Sequence, residues 1–301
     1  MTEKNLYTTV PVERSEFTIS HQEGLLLVGS CFTENIGNRL RDFGFRVLIN
    51  PFGVLYNPLS IAECLRLCRQ GIAVKEEDLF YHNGLWHSWK HHGSFSHQEK
   101  DKCLKQCNER IEEACRFMQQ PHTTLVTLGS AFTYFHEGNP VANCHKVPAS
   151  CFEKRLLDQN HIVDSFQDIG LEKTIFTISP IRHWADGAHG NQLSKSTLML
   201  AVEELRKRRG VLYFPSYEIV MDELRDYRFY ERDMLHPSSL TVDIIWQRFQ
   251  QAFMDKETIA LGEKFHALHT MEAHRPLFPE SEAYQLHLKK IDQLRKELNI
   301  Q

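Results

Sequence analysis

Five short apolar runs, spread over the first two thirds of the chain, constrain its fold more than any other feature of the sequence. Each run is bounded by helical patterns or by turn residues, so we interpret each as a strand that is buried on both faces. Strands of this kind are typical of parallel sheets. The runs are residues 25 to 28, 45 to 49, 124 to 128, 174 to 178 and 211 to 214.

Amphipathic stretches that predict helices separate these runs. They lie near residues 33 to 43, 58 to 70, 99 to 118, 150 to 167 and 191 to 209. The alternation of strand and helix predicts an α/β fold with an open, doubly wound parallel sheet of five strands. Four more helical stretches follow the last strand, near residues 217 to 226, 239 to 255, 257 to 270 and 280 to 299. We therefore predict a main domain over residues 1–240 and a helical C-terminal extension, residues 241–301, that packs on the domain or continues it.

The charge balance and the hydropathy of the chain argue against two classes of protein, those that bind nucleic acids and those that span a membrane. The 35 Lys and Arg against 39 Asp and Glu leave a net charge of -4, which argues against nucleic-acid binding. No apolar run approaches the roughly 20 residues that cross a bilayer, so we predict no membrane span. The polar start, residues 1 to 5, lacks the apolar core of an export signal, and we expect a cytoplasmic protein.

The cysteine spacing argues against disulfides, and the missing motifs argue against a bound cofactor. Cys64 and Cys68, like Cys103 and Cys107, are four residues apart in amphipathic stretches, which predicts reduced thiols buried on helix faces. The sequence contains no G-x-G-x-x-G, G-x-x-x-x-G-K, H-E-x-x-H or G-x-S-x-G. We therefore predict neither a cofactor nor a catalytic metal.

Residues 80 to 97 hold five histidines and several aromatic residues between the second and third predicted strands. The histidine spacing matches no common metal site. Asn83-Gly84 predicts a hairpin. We expect this segment to form a lid or a wall of a pocket.

Polar groups stand in the loops after the predicted strands, where an open parallel sheet binds its ligands. Gly29-Ser30-Cys31 follows the first strand and precedes a helix, whose positive end stabilises a thiolate or an oxyanion. Asp233 and His236, three apart after the last strand, have the chemistry of a general base and the carboxylate that orients it.

The segment Gly29-Ser30-Cys31-Phe32-Thr33-Glu34-Asn35-Ile36-Gly37 resembles the motif that names the GSCFA family, with Thr33 in place of the final alanine. Residues 143–146, 179–183, 213–217 and 233–238 are also of that family's type, so the resemblance covers about residues 23 to 240. The family is grouped with the SGNH or GDSL hydrolases, whose sheet is flavodoxin-like and whose members hydrolyse or transfer acyl groups. The resemblance thus implies an SGNH hydrolase-like domain over residues 1–240.

The resemblance also implies roles for single residues. When the superfamily's Gly-Asp-Ser motif is placed on Gly29-Ser30-Cys31, Cys31 is the nucleophile, and a frame shifted by one makes Ser30 the nucleophile. The superfamily's Asp-x-x-His matches Asp233 and His236, which makes His236 the general base and Asp233 its orienting group.

The expected oxyanion and substrate groups match the superfamily less closely. Its second motif implies a backbone N–H donor at Gly53, and its Gly-x-Asn-Asp motif falls on Gly129 but meets Ala131 instead of asparagine. Asn143, on the long connection that follows, is a candidate to replace that amide. We expect the remaining polar loop residues to contact substrate. They are His145, Arg182 and His183.

These features predict a hydrolase or transferase that acts on acyl esters of a small molecule or a carbohydrate. Two alternatives stay open. Because Ala131 occupies the asparagine position, the chain is alternatively a non-catalytic module that binds a glycan or an acylated ligand. In the second alternative, Cys31 is only a buried apolar residue and the turn is structural.

Overall fold

A computed structural model describes residues 8–299. Its strands are β1 (Gly24–Gly29), β2 (Val47–Ile49), β3 (Leu79–His82), β4 (Leu85–Ser88), β5 (His122–Leu128), β6 (Phe132–His136), β7 (Asn139–Val141), β8 (Glu153–Leu156), β9 (Thr174–Ile178) and β10 (Leu212–Phe214). Its helices are α1 (Phe32–Asp42), α2 (Pro58–Gln70), α3 (Lys100–Met118), α4 (Gln159–Ser165), α5 (Gly187–Arg209), α6 (Ser216–Glu218), α7 (Ser239–Phe253), α8 (Lys256–Ala273) and α9 (Glu282–Glu297).

The central sheet has the order β10-β9-β5-β1-β2, and all its neighbouring strands are parallel. When only these five strands are counted in chain order, the arrangement is 2-1-3-4-5, the flavodoxin-like order. The predicted α/β fold with a doubly wound five-stranded parallel sheet is therefore confirmed.

Helices cover both faces of the sheet, as expected for strands without a polar face. Leu26 and Val28 of β1 face the apolar layer formed with α2, α3, α4 and α5. Leu25 and Leu27 point the other way, into the layer formed with α1 and α7. Every residue of β1 is buried. This double burial explains why the strand is an uninterrupted apolar run.

Helix α7, which lies in the predicted C-terminal extension, is part of the core. Phe249 packs edge-on against Phe214 of β10, with ring centroids 5.4 Å apart. Ile245 and Phe253 are buried in the same layer. Ile259 of α8 packs against the same layer, and His266 of α8 bonds to Asp42 at the end of α1, 2.5 Å away. The boundary at residue 240 stays a prediction.

Two small antiparallel sheets interrupt the α/β alternation. Strands β3 and β4 form the hairpin predicted at Asn83-Gly84, whose φ angles of 47° and 81° are those of a tight turn. Strands β7, β6 and β8 form a second sheet after β5.

The second small sheet corrects one prediction. A helix over residues 150–167 is wrong for its first half, because β8 pairs there with β6 and only Gln159–Ser165 is helical. The ammonium of Lys154 lies over the Phe132 ring, 4.6 Å from its centroid, and the Arg155 guanidinium lies at the same distance over Phe135. Pairing with β6, together with these cation–π contacts, thus favours a strand over the helix that Lys and Arg would otherwise favour.

Four cysteines are fully buried, as predicted: Cys64 and Cys68 on α2, and Cys103 and Cys107 on α3. None of the described helices has the length and apolar character needed to cross a membrane. Residues 1 to 5, on which the expectation about an export signal rests, lie outside the described residues.

Candidate active site

The turn between β1 and α1 has tight backbone geometry. Gly29 has a φ of 145°, and a Cβ atom there would lie 2.1 Å from the Thr127 carbonyl oxygen of the neighbouring strand. The Ser30 N–H donates to that same oxygen at 3.1 Å. Cys31 is the N-cap of α1, and its carbonyl accepts from the Glu34 N–H. Only glycine fits where the chain leaves β1, and α1 begins three residues later, at Phe32.

Ser30 and Cys31 have opposite environments. Ser30 is 1% exposed, and its hydroxyl has no hydrogen-bond partner among residues 8–299. The Cys31 side chain is partly exposed. Burial raises the pKa of the Cys31 thiol, while hydrogen bonds from its own N–H and from the Tyr56 phenol act to lower the pKa. Solvent can reach Cys31, whereas the Ser30 side chain is buried.

A lysine that the sequence analysis missed lies at the same edge of the sheet. Lys195 of α5 is 0% exposed, and its Nζ donates to the carbonyls of Gly129 at 2.8 Å and Ser179 at 2.7 Å, just past the ends of β5 and β9. Burial lowers the pKa of Lys195 to about 7, and the charge of Cys31 opposes this change. The sequence carried one sign of this burial, because the position of Lys195 places it on the core face of α5 together with Leu198.

Tyr56 and His183 complete the surroundings of Cys31. The two rings pack edge to face with centroids 5.3 Å apart. Burial and the neighbouring Cys31 raise the pKa of Tyr56 to about 12. Burial, followed by the charge of Lys195, lowers the pKa of His183. Tyr56 and His183 thus pack against each other, and the neighbouring Cys31 and Lys195 act on their pKa values.

Asp233 and His236 are bonded to each other, as the Asp-x-x-His spacing suggests. His236 Nδ1 and Asp233 Oδ2 are 2.5 Å apart. The other carboxylate oxygen accepts the N–H groups of Leu235 and His236, both at 2.9 Å, and these backbone bonds lower the pKa of Asp233 to about 2. The side chains of His236 and Asp233 are 48% and 47% exposed. The loop therefore orients its imidazole by local bonds alone.

The structure does not bond this pair to the turn. Across residues 8–299, His236 Nε2 has no hydrogen bond, to Ser30, to Cys31 or to any other group. Tyr230, earlier in the same loop, packs on the apolar layer that Cys31 also contacts. Burial raises the pKa of Tyr230, and Arg182, just after β9, opposes this change.

The expected oxyanion donors differ in availability. The Gly53 N–H donates to the Asn50 carbonyl at 2.8 Å, and the Gly129 N–H donates to the Tyr56 carbonyl at 2.9 Å. Both amides are therefore occupied by the protein itself. Asn143 lines a cleft of about 230 Å³ together with Tyr56 and His183. Its Oδ1 accepts from the His145 N–H at 2.7 Å.

His145 and Arg182 lie in different surroundings. His145 is buried, and its Nε2 lies 2.9 Å from the Ser88 carbonyl. Burial and His87 lower the pKa of His145 to about 4. This imidazole belongs to the aromatic packing of the β3–β4 region. Arg182 stacks over Trp184, 4.8 Å from the ring centroid, and within the described part of the chain it forms no salt bridge.

The segment rich in histidine lies beside a larger cleft. Phe80 and Trp89 stack with centroids 3.7 Å apart and line a cavity of about 830 Å³ between α2 and the two small sheets. His91 is fully buried, and burial lowers its pKa to about 3. Residues 8–299 contain no group of three His, Cys, Asp or Glu side chains placed to hold a metal ion.

Comparison with protein-family models adds one finding. The model described as the GSCFA family matches residues 24–249, well over half of the 301 residues. This chain belongs to the GSCFA family. No curated protein matches it significantly. In this GSCFA protein the matched region runs from β1 into α7, so it includes the turn at Cys31, the buried Lys195 and the Asp233–His236 pair.

Proposed function

We propose that this GSCFA protein hydrolyses or transfers acyl groups carried as esters, with Cys31 as the nucleophile. The observation that carries the proposal is the contrast at the turn after β1: the thiol of Cys31, the residue at the N-cap position of α1, is partly exposed, while the Ser30 hydroxyl is buried. The positive end of a helix favours a thiolate at this position.

His236 serves as the general base in this proposal. Its Nδ1–H is donated to Asp233, which leaves the Nε2 lone pair free to accept a proton. The loop must bring Nε2 within about 3 Å of the thiol when substrate binds, and catalytic hydrogen bonds are commonly long before that point. Asp233 then stabilises the imidazolium.

The reaction proceeds in two halves. His236 takes the thiol proton while the sulfur attacks the acyl carbonyl. The tetrahedral intermediate collapses to a Cys31 thioester, and the departing alkoxide takes the proton from the imidazolium. Water or a second alcohol, deprotonated by the same imidazole, then attacks the thioester and regenerates the thiol. The acyl group leaves as an acid or as a new ester.

The cleft of about 230 Å³ is the proposed acyl or sugar subsite. Phe132 and Tyr134 supply apolar and aromatic surface there. The Asn143 amide and the Tyr56 phenol are the proposed donors to the oxyanion, because the amides of Gly53 and Gly129 are occupied. Arg182 and His183, at the end of β9, are the proposed contacts for the rest of the substrate.

One set of observations favours a second function, the non-catalytic binding of a glycan or an acylated ligand. The Gly53 and Gly129 amides are both engaged, and Ala131, fully buried, stands where the superfamily has asparagine. A protein with this cleft but without turnover would bind such a ligand in the same place.

Turnover of a panel of p-nitrophenyl acyl esters and acetylated sugars by Cys31→Ala and by Ser30→Ala tests the proposal. Cys31→Ala is expected to lower kcat/KM by about 10³-fold or more, because the covalent route is lost. Ser30→Ala is the matched control, one residue away, and is expected to stay within about threefold, because a sealed hydroxyl does not meet substrate. Circular dichroism establishes that both variants are folded.

Two outcomes would contradict this assignment. Loss of activity in Ser30→Ala with activity retained in Cys31→Ala would make Ser30 the nucleophile. Wild-type protein that turns over no ester in the panel, yet binds an acetylated sugar saturably, would favour the binding module.

A further inference from the structure

The residue that follows β2 holds the turn that carries Cys31. Asn50 is 6% exposed, and its Oδ1 accepts the Gly29 N–H at 2.9 Å, at the end of the neighbouring strand β1. The backbone N–H of Asn50 donates to the Leu27 carbonyl at 2.8 Å, which continues the pairing of β1 with β2. One buried side chain thus binds the backbone two residues before the proposed nucleophile.

The backbone conformation of Asn50 restricts which residues could replace it. Its φ angle is 43°, in the left-handed region that glycine adopts freely and that asparagine and aspartate tolerate better than most residues. Of these three, only asparagine and aspartate have a side-chain acceptor. The Asn50 amide nitrogen is buried without a hydrogen-bond partner among residues 8–299. The fold therefore uses the acceptor oxygen of this side chain and not its donor.

A second bond from the same loop completes the attachment of Gly29. The Leu55 N–H donates to the Gly29 carbonyl at 2.9 Å, while the Asn50 side chain accepts the Gly29 N–H. Both backbone polar groups of Gly29 are therefore bonded to residues 50–55. On the opposite side lies β5, where a Cβ atom on Gly29 would be 2.1 Å from the Thr127 carbonyl oxygen. The loop after β2 and strand β5 thus enclose Gly29.

The loop after β2 also reaches the cleft of about 230 Å³ that is the proposed subsite. The Tyr56 carbonyl accepts the N–H groups of Gly129 and Ser130, at 2.9 and 3.0 Å. Tyr56 and Ser130 line that cleft, whereas Asn50 does not. A change at Asn50 is therefore expected to disturb the Cys31 turn more than the binding of substrate in the cleft.

We propose that Asn50 is a positioning residue for Cys31, which fixes the thiol at the end of β1 by holding the Gly29 N–H. This role rests on the proposed function, because it takes Cys31 as the nucleophile. Attack on an acyl carbonyl needs the sulfur about 3 to 3.5 Å from the carbon and aligned with it, and a displacement of about 1 Å can cost about 10²-fold in rate. Asn50 transfers no proton in this role and acts through the backbone of Gly29.

Three substitutions separate the acceptor from the backbone conformation. Asn50→Gly keeps the φ angle without strain and removes the acceptor, whereas Asn50→Asp keeps both. Asn83→Gly is the matched control, because Asn83 has a φ angle of 47° in the exposed hairpin turn between β3 and β4. Circular dichroism and thermal melting identify any variant that is not folded. Asn50→Ser, whose polar side chain is one atom shorter, replaces Asn50→Gly if that variant does not fold.

Kinetics on a p-nitrophenyl acyl ester give the first readout. Asn50→Gly is expected to lower kcat by about 10- to 100-fold, because the thiol is displaced, with KM within about threefold of wild type. Asn50→Asp is expected to restore kcat to within about threefold of wild type, and Asn83→Gly to change neither constant. Each variant is compared at the plateau of its pH profile, because a new carboxylate near the thiol raises the thiol pKa. A merely structural role would lower the melting temperature without separating kcat from KM.

Hydrogen exchange of the Gly29 amide, followed by NMR, gives a readout that needs no substrate. The Gly29 N–H is expected to exchange at least about tenfold faster in Asn50→Gly than in wild type, because its acceptor is lost. In Asn50→Asp and Asn83→Gly, its exchange rate is expected to stay within about threefold of wild type.

The two failures are distinguishable. An unchanged Gly29 exchange rate in folded Asn50→Gly, or faster exchange with a wild-type kcat, would overturn the inference even if the protein is an active esterase. If wild-type protein turns over no ester, the proposed function fails. Faster Gly29 exchange in Asn50→Gly that Asn50→Asp reverses would then still support Asn50 as the residue that positions the turn.

Discussion

The two sides of the candidate site are built on different principles. On the sealed side, Ser30 and Lys195 are almost without exposure, and burial shifts the pKa of both Cys31 and Lys195. On the solvent side, Asp233 and His236 are half exposed and held by bonds within four residues of sequence. Desolvation therefore acts on the proposed nucleophile, Cys31, whereas short-range bonds orient the proposed base, His236. If the proposal holds, a site divided in this way can move its base without disturbing the thiol.

The largest expected effect tests on which side of the candidate site the general base lies. His236→Gln is expected to lower kcat/KM for acyl esters by about 10²- to 10⁴-fold, because general-base catalysis by the imidazole is lost. His183→Gln, a change of the imidazole that lines the cleft, is expected to cost less than about tenfold, since burial lowers the pKa of His183 and so disfavours the imidazolium that a base must become. Steady-state kinetics on the same ester compare them. The reverse ranking would place the base on the sealed side.

A smaller effect concerns how the free energy of unfolding depends on pH. The folded pKa of Lys195 is lowered to about 7, against about 10.4 in an unfolded chain. Between these pH values the unfolded state binds more protons than the folded state. The cost of burying the charge of Lys195 is therefore complete below pH 7 and disappears as the pH rises. The difference in unfolding free energy between wild type and Lys195→Met is expected to grow in favour of wild type, by about 1 kcal/mol per unit, from pH 7 to 9.

Urea unfolding at a series of pH values measures this slope. Asp233→Asn, from the solvent side, is the control, because a carboxylate whose pKa is lowered to about 2 is ionised in both states throughout that range. Its difference from wild type is expected to stay flat. A flat difference for Lys195→Met as well would show that the sealed side does not bear a desolvated charge.

The main architecture was accessible from sequence because its signals are local. Asn57 caps α2 through the Ser60 N–H, Pro58 occupies the first helical turn, and Gly71 ends the helix with a φ of 63°. The predicted bounds, 58 to 70, match for that reason. The five buried strands are equally legible, since each lacks a polar face.

What the sequence did not reveal depends on tertiary contacts. Strand β8 is exposed along its whole length, so its sequence has no apolar periodicity. The residues Glu153-Lys154-Arg155 alone favour a helix, but in the folded protein Phe132 and Phe135 lie beneath the two cations. Lys195 was overlooked because a lysine is usually solvated. Its place on the core face of α5 was the signal.

The residues of the candidate site can be proposed from the sequence, but their geometry cannot. The turn containing Cys31 and the spacing of Asp233 and His236 are visible in the sequence. The exposure of Cys31, the sealing of Ser30 and the engagement of the Gly53 and Gly129 amides depend on how neighbouring strands and loops pack. Such contacts join residues that are far apart in the chain.

The most direct measurement is the capture of an acyl-enzyme. Protein mixed briefly with a p-nitrophenyl acyl ester, quenched in acid and digested, is expected to carry one acyl group on the peptide that contains Cys31. Neutral hydroxylamine should remove the group, as it does for a thioester, and the Cys31→Ala variant should lack it. An acyl group on Ser30, or turnover without any acyl group on this peptide, would contradict Cys31 as the nucleophile.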